Sequence, residues 1–267
     1  MTKMTKQAIY VLIMCLISMT YVNAGERVFI LAGQSNMVGQ GKVAELSEKY
    51  KKLPDNVSLY SSDNGLVNLN GRYNSHTNFG PEVSFAHDLA ARFPDDKIIL
   101  LKYAVGGSSL LSWSPEWTAE GAIMTDDLQK GPLYDKMKAF FMALPEFGAA
   151  KIDSILWMQG ESDAKYPAAA ALYAKNLAIL VNAFRSDFKS SDATFIIARV
   201  NPPLPEFVGQ DIVRQAQFDA QKDLNNVVMF DTEGLTKWDD DLHYDTAGIV
   251  ELGKRFARAY IKIVDHK

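Results

Sequence analysis

A serine stands directly after the first apolar run of the sequence, where a nucleophile is often placed. The run Arg27–Ala32 is rich in branched residues and predicts a buried strand, and Ser35 follows within Gly33-Gln34-Ser35-Asn36-Met37. In open α/β sheets ligands bind beyond the carboxyl ends of the strands, so this hydroxyl could attack a bound substrate. Alternatively, Ser35 only caps a helix. The spacing excludes the G-x-S-x-G elbow of α/β-hydrolases and disfavours a phosphate-binding P-loop.

A serine hydroxyl needs a neighbouring base, and that base needs an acid to orient it. Asp240-Asp241-Leu242-His243 offers both, because a turn of this length can fold the Asp240 carboxylate onto the imidazole of His243. The adjacent acids, Asp239 and Asp241, are expected to face solvent. Taken alone, the D-x-x-H pattern favours the alternative of a solvated acidic loop with an incidental histidine.

Acyl transfer also needs hydrogen-bond donors for the oxyanion of the tetrahedral intermediate. Gly106-Gly107-Ser108 follows the third predicted strand, where a bare backbone N–H could approach a substrate. Gln159 follows the fourth predicted strand and could add a side-chain N–H. The alternatives are a tight turn at the glycines and, for Glu161 and Asp163, acids in the first turn of a helix. Four such signals at the ends of four different strands seldom coincide by chance.

Together these segments resemble the ordered blocks of the SGNH hydrolase superfamily. They are more closely similar to the branch holding the sialate O-acetylesterase domain and the acetylxylan esterases of carbohydrate esterase family 6. The motifs are Gly33-Gln34-Ser35-Asn36-Met37, Phe79-Gly80-Pro81-Glu82, Gly106-Gly107-Ser108, Gln159-Gly160-Glu161-Ser162-Asp163, Val213-Arg214-Gln215-Ala216-Gln217 and Asp240-x-x-His243. The resemblance implies a flavodoxin-like αβα sandwich and ester hydrolysis without a metal or other cofactor. One departure is Ser162, which stands where the wider superfamily has an asparagine.

The resemblance also implies roles for single residues. Ser35 is the expected nucleophile, with His243 as the base and Asp240 as its partner. The backbone N–H groups of Ser35 and Gly106 are expected to form the oxyanion hole, completed by the side chain of Gln159. Residues expected to support these groups or to bind substrate are Gln34, Asn36, Glu82, Gly107, Trp113 and Glu161. Trp113, like Tyr103 and Trp117, is predicted either to stack on a sugar ring or to pack in the core.

The elements that must position these residues alternate between apolar runs and helical patterns. The predicted strands are Arg27–Ala32, Val57–Ser61, Lys97–Ala104, Ile152–Met158, Thr194–Val200 and Val227–Asp231. The predicted helices start at Pro81, Pro132, Pro167, about Gln210 and near Asp245. This alternation predicts a three-layer αβα sandwich with a central parallel sheet, formed by a single domain over residues 25–267.

Residues 1–24 are predicted to be a signal peptide. Lys3 and Lys6 precede an apolar stretch, and Val22-Asn23-Ala24 offers small residues for cleavage. The stretch is shorter than the roughly 20 residues of a membrane span, although a retained anchor is the alternative. We therefore expect a secreted or periplasmic protein that has no membrane association after cleavage.

Composition excludes several classes of partner and cofactor. The single cysteine, Cys15, lies in the predicted signal peptide, so the mature chain cannot be a thiol enzyme or a cysteine-ligated zinc protein. The 4 histidines include no H-x-x-x-H pair, and we expect no metal. With 28 basic and 32 acidic residues the net charge is −4, which argues against a nucleic-acid partner. The sequence does not predict an oligomeric state.

These observations predict a secreted carbohydrate O-acetylesterase acting on acetylated glycans of the acetylxylan or sialic-acid type. A lipid or aryl esterase on the same scaffold is the first alternative, and the lack of a long apolar lid sequence weighs mildly against it. A catalytically inactive sugar-binding module is the second alternative, and it would not need serine, histidine and aspartate together. The particular sugar is left open.

Overall fold

The computed structural model describes residues 25–62, 78–144 and 151–266, so the predicted signal peptide lies outside the described residues. The strands are β1 (Glu26–Gly33), β2 (Gly41–Lys42), β3 (Val57–Ser61), β4 (Asn78–Phe79), β5 (Lys97–Ala104), β6 (Ile152–Met158), β7 (Thr194–Ala198) and β8 (Val227–Phe230). The helices are α1 (Ser35–Val38), α2 (Glu82–Arg92), α3 (Ala119–Ile123), α4 (Leu133–Met142), α5 (Glu161–Lys165), α6 (Pro167–Asp187), α7 (Gln210–Asp223) and α8 (Thr246–Asp265). Short 3₁₀ turns cover Val43–Glu45 and Glu48–Tyr50.

Six strands form one parallel sheet in the order β3-β5-β1-β6-β7-β8. Across the sheet, the five strands β5-β1-β6-β7-β8 have the flavodoxin-like order 2-1-3-4-5. Strand β3 adds an edge strand beside β5. The strands are apolar without alternation because helices cover both faces. The predicted αβα sandwich with a central parallel sheet is therefore confirmed.

The two helical layers are anchored by aromatic residues that point to opposite faces of the sheet. Phe29 on β1 packs edge-on against Phe85 of α2 and Tyr260 of α8. On the other face, Phe195 of β7 packs against Phe184 of α6. Each such pair adds about 0.5–1.5 kcal/mol beyond the burial of apolar area. Although α6 is long and apolar enough to cross a membrane, this packing is that of a core helix.

Several predicted boundaries move by one or two residues. Helices α2 and α4 begin one residue after Pro81 and Pro132, which occupy the capping position. Strand β7 ends at Ala198 rather than Val200, because the Val200 N–H donates to Gln217 Oε1 at 3.0 Å instead of to a neighbouring strand. Similarly, β8 ends at Phe230, one residue before the predicted end.

Candidate active site

The connections after β1, β5, β6 and β8 meet at the carboxyl edge of the sheet, beside the point where the strand order reverses. Ser35 begins α1 immediately after β1 and is 9% exposed. Gly33 makes this close approach possible: its φ is +148°, and a Cβ there would lie 2.0 Å from the Met158 carbonyl oxygen. The Gln34 N–H donates to that carbonyl at 2.9 Å, which fixes the start of the turn.

Ser35, His243 and Asp240 form a continuous chain of contacts. His243 Nε2 lies 3.0 Å from Ser35 Oγ, and His243 Nδ1 lies 2.6 Å from Asp240 Oδ2. The other carboxylate oxygen, Asp240 Oδ1, accepts the backbone N–H groups of Leu242 and His243, each at 2.9 Å. This is the order of contacts that a nucleophile, a base and an orienting acid require.

The environment of Asp240 favours its ionised form. Partial burial alone would raise the pKa of the carboxyl, but hydrogen bonds from the His243 backbone and imidazole and from the Leu242 N–H outweigh it and hold the pKa below its ordinary value. Asp240 therefore stays charged at neutral pH and can stabilise an imidazolium on His243.

The loop that carries His243 is closed by its own backbone. A bridge joins Lys237 to Tyr244, and the Trp238 N–H donates to the His243 carbonyl at 2.9 Å. Asn36 then ties this loop to the serine turn, because its Oδ1 accepts the Tyr244 N–H at 3.0 Å and its Nδ2 donates to the Leu242 carbonyl at 3.3 Å. Asn36 thus joins the loop of His243 to the turn that carries Ser35.

Two backbone N–H groups, those of Ser35 and Gly106, lie close to the Ser35 side chain. A Cβ built on Gly106 would lie 4.0 Å from Ser35 Cβ, so the two residues are adjacent. Within the described ranges, neither the Ser35 N–H nor the Gly106 N–H donates to another protein group. Gly107, which lines the cavity, has a φ of +62° directly after Gly106. The unused N–H groups of Ser35 and Gly106 are the candidate donors of an oxyanion hole.

Gln159 does not point into this region, and its expected role as the third oxyanion donor is corrected here. The side chain is fully buried. Its Nε2 donates to Asp163 Oδ2 at 2.6 Å and to the Ser108 carbonyl at 3.0 Å. Since an amide has two N–H bonds and both are used, none is left for a substrate.

Of the two roles predicted for Trp113, the structure shows core packing. The indole is fully buried, so it cannot stack on a sugar ring. It packs edge-on against Trp157, with ring centroids 5.4 Å apart, and its Nε1 donates to Ser108 Oγ at 2.9 Å. The alternative of core packing therefore holds for Trp113, which supports the glycine segment from behind.

Gln34 and Glu161 join the serine turn to the start of α5. Gln34 Oε1 accepts the N–H groups of Gly160 and Ser162 at 3.3 and 3.2 Å. Glu161 Oε1 accepts Asn36 Nδ2 at 3.1 Å, and burial raises the pKa of Glu161. No described hydrogen bond joins Glu161 to the imidazole, whose Nδ1 is already paired with Asp240.

Glu82 supports the site through a partner that sequence reasoning missed, Lys102. Lys102 Nζ donates to Glu82 Oε2 and to the Val38 carbonyl, both at 2.7 Å, and Glu82 Oε1 accepts the Gly80 N–H at 2.9 Å. Both charged side chains are buried, and they fix the end of α1. The sequence signal for this pair was a lysine inside an apolar strand. A buried charge requires a partner, so such a lysine indicates a buried acid nearby.

A cavity of about 380 Å³ opens over Ser35 and His243. Most of the residues that line it have polar or charged side chains. The lining residues are Gln34, Ser35, Gly107, Thr125, Asp126, Lys130, Glu161, Ser162, Lys165, Tyr166, Glu206, Phe207, Leu242 and His243. Among the described residues no group of three or more histidine, cysteine, aspartate or glutamate side chains is placed to hold a metal ion.

The fold and the site together define the class of the protein, an SGNH-like sandwich with polar loops grouped at the carboxyl edge of its sheet. The family model described as carbohydrate esterase, sialic acid-specific acetylesterase, matches residues 25–262. The chain therefore belongs to this family of carbohydrate esterases.

Known relatives share this architecture. A probable carbohydrate esterase of Arabidopsis thaliana is 26% identical over 254 residues, covering 88% of this chain and 90% of the plant protein. The X-ray structure of the plant protein superimposes with a TM-score of 0.70, at 25% identity over 90% of this chain and 98% of that chain.

Two further structures have the same fold at lower identity. A carbohydrate acetylesterase from Xanthomonas citri has a TM-score of 0.67 at 18% identity, covering 90% of this chain and 57% of that chain. NanS has a TM-score of 0.61 at 15% identity, covering 91% of this chain and 98% of that chain.

Proposed function

We propose that this carbohydrate esterase removes acetyl groups from acetylated glycans through an acetyl-enzyme on Ser35. The observation that carries the proposal is the contact chain from Ser35 Oγ through His243 to Asp240, at 3.0 and 2.6 Å, beside two free backbone N–H groups. Family membership supplies the substrate class, acetylated carbohydrate.

The proposed reaction has two halves. In the first, His243 Nε2 takes the proton of Ser35 Oγ as the oxygen attacks the acetyl carbonyl. The resulting oxyanion accepts the N–H groups of Ser35 and Gly106, and Asp240 stabilises the imidazolium. The intermediate breaks the bond to the sugar oxygen, which leaves with the proton from His243. In the second half a water molecule, deprotonated by His243, attacks the acetyl-enzyme, and acetate and free Ser35 result.

The residues that line the cavity fit a sugar better than a lipid. Lys130, Lys165, Glu206 and Asp126 line it and can exchange hydrogen bonds with hydroxyl groups, whereas a fatty chain would meet few apolar side chains there, Phe207 and Leu242. Acetate release from a panel of acetylated xylan, acetylated sialic acid and other acetylated glycans, with p-nitrophenyl acetate as a general control, tests the assignment. Hydrolysis of long acyl esters in preference to all glycans would support the lipid esterase instead.

We also propose that residues 1–24 are a signal peptide and that residues 25–267 form one secreted or periplasmic esterase domain. The basic start, the short apolar stretch and the small residues before Gly25 support the proposal. N-terminal sequencing of the exported protein is expected to begin at Gly25. Recovery of an intact N-terminus in the membrane fraction would indicate a retained anchor.

A further inference from the structure

The segment that carries the Gly106 N–H is held mainly by hydrogen bonds to buried carboxylates rather than by regular secondary structure. The Val105 N–H donates to the Gly33 carbonyl at 3.0 Å, which aligns the segment with β1. Beyond Gly106, the Ser109 N–H donates to Asp127 Oδ2 at 2.7 Å, and the Leu110 N–H donates to Asp163 Oδ2 at 2.8 Å. Carboxylates therefore take the place that a neighbouring strand or helix would fill.

Asp163 holds this segment at two positions through one oxygen atom. Asp163 Oδ2 accepts the Leu110 N–H directly, and it also accepts Gln159 Nε2 at 2.6 Å. The second N–H of Gln159 reaches the Ser108 carbonyl at 3.0 Å. Asp163 thus sets the orientation of Gln159. The two side chains contact Leu110 and Ser108, which lie four and two positions beyond Gly106.

Both bonds end on the same atom, because Asp163 Oδ2 accepts the Leu110 N–H and the Gln159 amide, while no described group pairs with Oδ1. An alanine at this position would leave both donors without an acceptor, whereas an asparagine with its amide oxygen in the place of Oδ2 keeps both bonds. The carboxylate is fully buried, and this burial, with the nearby charge of Asp127, raises the pKa of Asp163 to about 7. A buried acid is unfavourable for folding, so a position that needs only packing is better served by a neutral residue.

We propose that Asp163 is a positioning residue of the esterase, which acts through Leu110 and through the bond from Gln159 to Ser108 to aim the Gly106 N–H at the oxyanion. The inference rests on the proposed function. The Asp163 side chain touches neither Ser35 nor the cavity. A displacement of about 1 Å in a catalytic group lowers a rate about 100-fold, so a loosened glycine segment is expected to slow the reaction strongly.

The test compares Asp163→Ala with a matched control, Asp153→Ala, and with the conservative variant Asp163→Asn, in the purified full chain. Asp153 is a partly buried carboxylate that accepts a backbone N–H, that of Val28 at 2.8 Å, but it lies near the amino end of the sheet. Kinetics with p-nitrophenyl acetate are measured at a temperature where circular dichroism shows every variant folded. Asp163→Ala is expected to lower kcat by about 10- to 100-fold with KM changed less than about threefold, because the lost contacts matter in the transition state. Asp163→Asn keeps both contacts and is expected to stay within about threefold of the wild-type kcat.

Asp153→Ala is expected to keep kcat within about twofold while losing comparable thermal stability. The proposal is overturned if Asp163→Ala keeps wild-type kcat, if Asp153→Ala loses as much, or if Asp163→Asn loses as much as Asp163→Ala. Gln159→Met provides a second test should Asp163→Ala not fold. It keeps the Leu110 bond and removes the one to Ser108, so a kcat loss of about 5- to 20-fold is expected, and wild-type kcat refutes the proposal.

The wild type and Ser35→Ala are assayed in the same series. Loss of activity in Ser35→Ala supports the proposed function whatever the result for Asp163→Ala. An inactive wild type, or an active Ser35→Ala, contradicts the proposed function. The proposed role of Asp163 is then refuted as well, because it rests on that function.

Discussion

Replacing Asp240 by asparagine is expected to disable the base without disturbing the loop. Asp240 Oδ1 accepts two backbone N–H groups at 2.9 Å each, while Oδ2 faces His243 Nδ1 at 2.6 Å. An asparagine that keeps the two backbone bonds must turn its amide N–H toward Nδ1. The imidazole then carries its proton on Nε2, the atom that has to accept the proton of Ser35. The opposite amide orientation loses both backbone bonds.

The size of the effect follows from the geometry. A wrong imidazole tautomer in a serine–histidine–aspartate site lowers kcat about 10⁴-fold. The Asp240 side chain is 48% exposed, and water can take over part of its role, so we expect a loss of about 10³-fold, equivalent to about 4 kcal/mol of transition-state stabilisation. KM is expected to change little, because the imidazolium forms mainly in the transition state.

The assay is steady-state hydrolysis of p-nitrophenyl acetate by Asp240→Asn, Asp241→Asn and Glu161→Gln, measured side by side. Asp241 has a φ of +53°, which asparagine tolerates, so Asp241→Asn is a matched control with near wild-type kcat. Glu161→Gln keeps an acceptor for Asn36 and is expected to stay within about tenfold of wild type. A nearly normal kcat in Asp240→Asn together with a collapse in Glu161→Gln would refute the assignment of the acid, although the pair of Ser35 and His243 could still stand.

Three further outcomes are expected. Treatment with EDTA should leave esterase activity unchanged, and a loss that zinc restores would indicate a metal-bound water instead of a serine nucleophile. Lys102→Met should lower the free energy of unfolding by about 3–5 kcal/mol in urea titrations, since it removes the cation that neutralises the buried Glu82 carboxylate; a change below about 1 kcal/mol would contradict the account of this pair. Stability should also depend on pH through Asp163, whose pKa is raised to about 7 by burial. Between about pH 4 and pH 7 the folded chain holds a proton that the unfolded chain has lost, so this group makes the free energy of unfolding fall as pH rises, by at most about 1.4 kcal/mol per pH unit. The free energy of unfolding should stop falling above about pH 7, and its fall should be shallower in Asp163→Asn than in the wild type. Thermal unfolding over this pH range tests this, and equal pH dependence of the two proteins would contradict the raised pKa of Asp163.

Much of the site could be predicted because its parts are local. Asp240 and His243 are three residues apart, and the loop between them is short enough for the spacing alone to predict their contact. The contact of Ser35 with His243 spans 208 positions and was predictable only through topology, since all strands of the parallel sheet end at one edge. The same reasoning placed Gly106 beside Ser35.

The directions in which the side chains of Gln159 and Trp113 point were not predictable in the same way. Gln159 and Trp113 both follow strand ends, as a substrate-binding residue would, but both turn into the core. Their direction depends on distant partners, Asp163 for the glutamine and Ser108 with Trp157 for the tryptophan. The sequence shows that such polar groups need partners, but it does not show which partner the fold brings within reach.

The central claim is that Ser35 carries the acetyl group during turnover, and trapping that intermediate tests it most directly. The wild type and Ser35→Ala are mixed with acetylated glycan or p-nitrophenyl acetate, quenched in acid within one turnover, digested and analysed by mass spectrometry. The account predicts one added acetyl group on the peptide containing Ser35 in the wild type, and neither this adduct nor acetate release in Ser35→Ala. Acetate release at a normal rate by Ser35→Ala would contradict the account.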